Sequence, residues 1–199
     1  MAGEPADSKV VFDISMSLDG FVTAADRTSE EPMGRGGLRL MEWAFGDDPR
    51  GAQVLRDGVA GLGATIAGRE TYDSSLAWWG ADGPSGDDRR PVFVVTHEAP
   101  GSSPENGVYT FVTDGLESAL AQAKAAAAGR DVCIMGGAGT GQQCLAAGLV
   151  DELSIHLVPV LFHRGTRLFD NLGVDHTQLE VLDVVVGPAA THLRYAVRS

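Results

Sequence analysis

Apolar residues fall in short runs broken by glycine and polar clusters, and their spacing switches between two periods along the chain. Val10, Val11, Phe12 and Ile14 are good strand formers and predict a strand over residues 9–16. Asp19 and Gly20 supply turn chemistry at its end. Residues 25–37 are polar and glycine-rich and predict a long mobile loop, a kind of segment that often carries function. Leu40, Met41, Ala44 and Phe45 have helical spacing, so a short helix is expected over 38–45. A second helix begins at Asp48 or Pro49 and runs to about Val59. Residues 64–67 form a second expected strand, and Gly68-Arg-Glu-Thr-Tyr72 opens a helix directly after it. Loop is expected over 78–90, then strands over 91–96 and 108–112. Asp114 has the chemistry of an N-cap, with Glu117 completing a capping box, for an alanine-rich helix that Gly129 stops.

The stretch Asp131-Val-Cys-Ile-Met-Gly-Gly-Ala-Gly-Thr-Gly-Gln142 reads as a buried strand, a glycine turn and the entry to a helix over 142–149. That shape suits an anion, because glycine lets the backbone approach a ligand and helix N–H groups point at it; a plain tight turn is the equal alternative. The dinucleotide fingerprint fails at Gln142, and no Gly-Lys-Ser/Thr triplet exists for a P-loop. Residues 151–161 then read as a strand, 165–172 as a turn and irregular piece, and 178–186 with 191–198 as a hairpin around Gly187-Pro188. Strands alternate with helices to residue 150 and dominate afterwards, which predicts an α/β fold on a mostly parallel sheet finished by antiparallel strands. Ligands on such sheets sit beyond the carboxyl ends of the strands, where loops 17–24, 68–71 and 136–140 converge.

Composition narrows the function. A chain of 199 residues with 44% hydrophobic and 21% charged residues suits one globular domain over 9–199 behind a loose tail, 1–8. A net charge of −12 repels nucleic acid but leaves room for one phosphorylated cofactor held by local donors. The two cysteines, Cys133 and Cys144, read as buried small hydrophobes, and they are too few for a metal centre, so no metal is expected. The polar start lacks a signal peptide's apolar core, and no apolar run reaches the roughly 20 residues of a membrane helix, so a cytoplasmic protein that binds neither membrane nor nucleic acid is expected.

Five motifs, in order, carry a resemblance: Ser17-Leu-Asp-Gly-Phe, Gly68-Arg-Glu-Thr-Tyr, Val94-Val-Thr-His97, Met135-Gly-Gly-Ala, and Gly148-Leu-Val-Asp-Glu-Leu followed by Pro159-Val-Leu. The chain resembles the dihydrofolate reductase superfamily. Within it, it is most similar to the C-terminal reductase domain of the bifunctional riboflavin-biosynthesis deaminase-reductase and that domain's stand-alone bacterial relatives. The resemblance implies a three-layer fold with about eight central strands, NADPH as cofactor, and a homodimer. It implies reduction of a small polar heterocycle or a sugar-like carbonyl or imine, as by 5-amino-6-(5-phosphoribosylamino)uracil reductase. Carried over by motif, Gly68, Arg69 and Thr71 meet cofactor phosphates, Thr96 and His97 lie beside the adenosine ribose, and Gly136, Gly137, Ala138, Gly139 and Thr140 hold the pyrophosphate. The Gly136–Gly137 bond matches a pair that is cis in relatives. Ile14, Gly20 and Val22 border the nicotinamide.

Where dihydrofolate reductases carry a helix carboxylate, this chain has Leu40, if Trp43 matches their helix tryptophan. That speaks against dihydrofolate as substrate; dihydrofolate reduction, or nucleotide binding without turnover, is the alternative activity. Asp19 and Glu42 are the candidates for catalysis. Arg35, Arg39, Trp43 and Arg164 are the candidates for substrate contact, with Trp78 and Trp79 as further possible walls of the pocket. Asp19 serves equally well as a turn residue, and His156 reads as a core or interface histidine. Strands 151–161 and 178–186 are apolar on both faces, which calls for cover by a partner subunit or by residues 161–177 or 25–60.

Overall fold

The computed structural model describes residues 8–170, 172–173 and 176–198; the expected tail, 1–8, lies outside them apart from Ser8. Its centre is an eight-stranded sheet in the order β5-β4-β3-β6-β1-β7-β10-β9. The strands are β1 Val10–Ser17, β3 Leu62–Gly68, β4 Val92–Val95, β5 Tyr109–Val112, β6 Asp131–Met135, β7 Glu152–Val158, β9 Gln178–Val186 and β10 Thr191–Arg198. Six neighbours run parallel, and β10 and β9 close the sheet antiparallel. Two short strands the sequence hides, β2 Phe21–Ala24 and β8 Gly165–Arg167, pair as a separate ribbon. The α/β expectation is met, with the parallel-then-antiparallel order in the predicted sense. No helix among the described residues is long and apolar enough to cross a membrane.

Period two along the strands sorts residues onto two faces. On one face Val10, Phe12, Ile14, Ile66, Phe93, Ile134, Leu153 and Ile155 form the main core. Helices α4, Leu116–Ala127, and α5, Ala138–Ala146, cover it through Ala119, Ala123, Ala127, Ala138 and Cys144. On the other face α3, Arg69–Trp79, packs Tyr72 against Ala67, Val92 and Val94. Beside it Leu40 and Trp43, from a 3-10 turn over Gly37–Met41 and the short α1, Glu42–Phe45, pack on Val158 and Ala190. The helix expected over 38–45 is thus two pieces, tightened to 3-10 at its start. The α2 helix, Pro49–Ala60, starts as predicted, with the Asp48 carboxylate accepting the Arg50 N–H at 3.0 Å.

Three local expectations change. Gly115 caps α4 in place of Asp114, because its backbone takes φ 106°, ψ 176°, a conformation that suits glycine, and no side-chain cap forms. Residues 78–90 are not all loop: α3 runs to Trp79, and 83–88 form a 3-10 turn started by Pro84. The 25–37 segment folds back on itself, held by backbone hydrogen bonds from Ala24 to Met33, Gly34 to Glu31 and Arg35 to Ala25, each 2.8–2.9 Å.

Asp19 ties the turn after β1 to the segment after β7. Its carboxylate accepts the Ser17 hydroxyl at 2.6 Å and the backbone N–H groups of His163 at 2.8 Å and Phe162 at 3.2 Å. Burial pushes its pKa up, but these hydrogen bonds outweigh burial and bring it down to about 2 from 3.8. A carboxyl depressed on folding stabilises the fold above its unfolded pKa and loses that contribution as pH falls through the folded one. Asp19→Asn should therefore lower the melting temperature at pH 7. The gap to the parent protein should close as pH falls from about 4 to about 2. Thermal melts across that range check it; a gap that is constant with pH would contradict it.

Candidate active site

The strand-to-helix turns after β3 and β6 meet face to face at the carboxyl edge of the parallel strands. A Cβ on Gly68 would stand 2.5 Å from Thr140 Oγ1, and one on Gly136 or Gly137 would stand 2.9 Å from Thr71. Only glycine permits that approach, so each turn presents its backbone to the space above. Gly68 and Gly137 are the N-caps of α3 and α5, and neither helix has a side-chain cap. Their first N–H groups are therefore available to an anion. The sequence predicts helix only from 142, whereas Ala138 to Gly141 already form the first turn of α5, with Gly137 as its N-cap. The Gly136–Gly137 bond is trans, against the expected cis bond. Positive φ at both residues, 65° and 78°, turns the chain into the helix instead.

A cleft of about 1110 Å³ opens over these turns. Ile14, Val22, Gly68, Arg69, Thr71, Thr96, His97, Gly136, Gly137, Ala138, Gly139 and Thr140 all line it. Gly20, the remaining cofactor candidate, does not; its carbonyl accepts the Leu168 N–H. Trp43 and Trp79 form part of the wall, whereas Trp78 is 67% exposed outside it. Arg69 reaches Asp73 at 2.8 Å and donates to the Glu98 carbonyl at 2.9 Å. Arg27, which sequence reasoning passed over, also lines the cleft and pairs with Glu70 at 2.5 Å.

The catalytic candidates lie elsewhere. Asp19 is the turn clamp described above and is not part of the cleft wall. Glu42 is exposed at the start of α1, while its neighbours Met41, Trp43 and Ala44 face the cleft. Leu40 is fully buried under Trp43. Arg35, Arg39 and Arg164 do come together, but in a second hollow of about 360 Å³ with Asp26, Val160 and Phe162. Sequence reasoning also missed Asp13 and Ser15, which line the cleft floor beside His156. Their signal was present: polar residues at alternate positions of an otherwise apolar strand.

The geometry agrees with what comparison finds. The profile of the family described as the RibD C-terminal domain matches residues 8–193. Among solved structures, a putative riboflavin biosynthesis protein from Shewanella sp. PV-4 superposes with a TM-score of 0.71 at 22% identity, over 96% of this chain and 100% of that one. Acinetobacter baumannii RibD gives 0.65 at 16% identity, over 97% of this chain and 59% of that one. Dihydrofolate reductase from Enterococcus faecalis, complexed with NADP(H) and RAB-propyl, gives 0.57 at 16% identity, over 96% of this chain and 97% of that one. No curated protein matches the sequence. At these identities the structural likenesses establish the dihydrofolate reductase-like fold, and the family match establishes more: the chain belongs to the RibD C-terminal domain family of reductases.

Proposed function

We propose that the protein is an NADPH-dependent reductase that transfers hydride to a small polar heterocycle or a sugar-like carbonyl or imine. The observation that carries this reading is the pair of uncapped helix starts, Gly68 and Gly137, that line one cleft of about 1110 Å³. Gly136 to Thr140 and Thr71 would hold the pyrophosphate through backbone N–H groups and hydroxyls. Arg69, with its guanidinium at the α3 start, would meet a 2′-phosphate, and Thr96 and His97 would flank the ribose. Ile14 and Val22 would border the nicotinamide, which supplies the hydride when bound. With Leu40 buried where dihydrofolate reductases place a carboxylate, a substrate other than dihydrofolate is favoured. The same substrate class is named for a structural neighbour from Thermotoga maritima, a diaminohydroxyphosphoribosylaminopyrimidine deaminase/5-amino-6-(5-phosphoribosylamino)uracil reductase that shares the fold at 12% identity.

Arg69→Ala should weaken NADPH by about 1.5–3 kcal/mol, one charge-assisted contact, and leave NADH nearly unchanged. Asp73 already holds that guanidinium, so the lower end of the range is expected. Fluorescence titration of both cofactors checks the discrimination; equal losses would remove Arg69 from the phosphate site. NADPH oxidation across a panel of heterocycles then tests turnover, and tight binding without turnover anywhere would favour a nucleotide-binding protein.

We further propose a homodimer built on β9. That strand ends the sheet, and Leu179, Val181, Leu182, Val184 and Val186 are 39–61% exposed; the register puts all of them but Leu182, at a bulge, on the face of Leu193, Tyr195 and Val197. An uncovered apolar edge strand invites pairing, and a stable interface needs about 1,000 Å² in total. Sedimentation at micromolar concentration should show twice the 20.8 kDa chain mass, and Val184→Lys should shift it to one copy. A single species near 20.8 kDa for the parent protein would refute the dimer.

A further inference from the structure

Three neighbouring strands place a buried polar row under the cleft. Ser15 of β1, His156 of β7 and His192 of β10 are direct register partners. Asp13 stands on the same face of β1, one pleat earlier. Its carboxylate lies 3.2 Å from His156 Nε2, and His156 Nδ1 lies 2.9 Å from His192 Nδ1. The histidines are only 4% and 3% exposed. The Trp43 ring covers both, with centroids at 4.0 and 4.8 Å, and is itself held by donating to Ser15 Oγ at 2.9 Å. Asp13 keeps about a third of its side chain exposed, at 36%, on the cleft side. At the opposite end, His192 Nε2 and Asp48 Oδ2 are buried without hydrogen-bond partners among the described residues. Both border Gly187, where a Cβ would stand 3.8 Å from the one and 2.8 Å from the other.

Two ring nitrogens this close can hold one proton between them. With both rings neutral, His156 Nε2–H donates to Asp13 and His192 Nδ1–H donates to His156. That leaves His192 Nε2 a bare acceptor on the side of the Asp48 carboxylate, two acceptors with no donor. One added proton removes the conflict. His156 as imidazolium then donates to Asp13 and to His192, and His192 carries its hydrogen on Nε2, on the Asp48 side. The charged and titratable groups around the pair are Asp13 on β1, Cys133 on β6 and Asp48 at the start of α2. Burial pushes the Asp13 carboxyl up, but the His156 hydrogen bond and charge, helped by Ser154 and His192, hold it below its ordinary value. Burial and His156 push His192 down, against smaller upward pulls from Asp48 and Asp13. The geometry places the added charge on the ring beside the carboxylate, since His156 Nε2 is the ring nitrogen within hydrogen-bond distance of Asp13. Cys133, pushed well above the ordinary thiol value by burial and by Asp13, stays a neutral thiol.

We propose that Asp13, His156 and His192 form a proton relay for the reduction, with Asp13 as the group that hands the proton to substrate and the histidines as positioning residues that reload it. This rests on the reductase reading above. The reduced nicotinamide, when bound, would supply a hydride, with its two electrons, to the carbon of a substrate C=O or C=N group. The π pair passes to the oxygen or nitrogen, which bonds a proton drawn through Asp13: His156 Nε2 gives its proton to the carboxylate, and Asp13 hands it on and is a carboxylate again. The imidazolium is left as neutral imidazole, and one proton from solvent restores it. One hydride and one proton are consumed per turnover, and the relay returns to its starting state. A carboxylate on the sheet thus supplies an acid to the cleft, which Glu42 of α1 does not line.

Histidine ¹⁵N NMR against pH, on the protein without cofactor or substrate, tests the relay directly. His156 and His192 should titrate in one concerted step, and near-isosteric Asp13→Asn should lower the pH of that step by about one unit or more. Independent titrations, or a step that Asp13→Asn does not move, would overturn the relay. If Asp13→Asn does not fold, His192→Gln carries the test: the His156 titration must shift, and an unmoved one overturns the proposal. In turnover, Asp13→Asn should cost at least about 100-fold in kcat and flatten its pH profile, with the NADPH dissociation constant within about twofold. Retained kcat with an unchanged profile would overturn the donor role. Failure of the parent protein to bind NADPH would instead sink the reductase reading, and the histidine titration would still decide the relay.

Discussion

The cleft depends on one close approach. Two strand-to-helix turns meet across Gly68 and Gly136–Gly137, with Thr71 and Thr140 occupying the space that side chains would need. Any Cβ there forces the turns apart, and with them the starts of α3 and α5. Because both starts lack side-chain caps, the approach also sets the field above the sheet. Two sets of unpaired N–H groups point into one space, a local positive end in a chain whose net charge is −12. An anion held there would answer to this local arrangement of donors rather than to the overall charge.

The second face of the sheet explains why polar residues recur in its central strands. Main-core positions on β1 and β7 are Phe12, Ile14, Leu153 and Ile155; between them stand Asp13, Ser15, Glu152, Ser154 and His156. Buried polar groups are tolerated only where partners satisfy them. Here Lys9 and Arg194 pair with Glu152, Trp43 with Ser15, and the histidines with one another. Trp43 therefore has three roles: it packs against Val158, seals the histidines and forms part of the cleft wall.

Much of this was legible in the residues. Runs such as Val92–Val95 and Val132–Ile134 identified the parallel strands because burial on both faces leaves continuous apolar sequence. The glycine turns were legible because their composition has few other uses. The β2–β8 ribbon was not: Phe21–Ala24 and Gly165–Arg167 pair across more than a hundred residues, and three or four residues carry no periodicity of their own. Asp19 reads equally as a catalytic and as a turn residue in sequence, and only the positions of the His163 and Phe162 N–H groups show what it holds. The Asp13–His156–His192 contact was hidden for a related reason. Its members are separated in sequence and become neighbours only through strand order, which no local pattern encodes.

That strand order ties the rim of the sheet to its middle. Val185, His192, His156 and Ser15 are successive register partners across β9, β10, β7 and β1, one row from the outermost strand to the cleft floor. Engineers who polish the exposed strand for solubility would meet this row unevenly. Val184 pairs with Leu193 and Val186 with Thr191, so both project to the opposite face from the histidines. Val185 sits beside His192 on its own face. A charge placed there would act on the histidine pair from one strand away, making a cosmetic surface change into an electrostatic perturbation of the site.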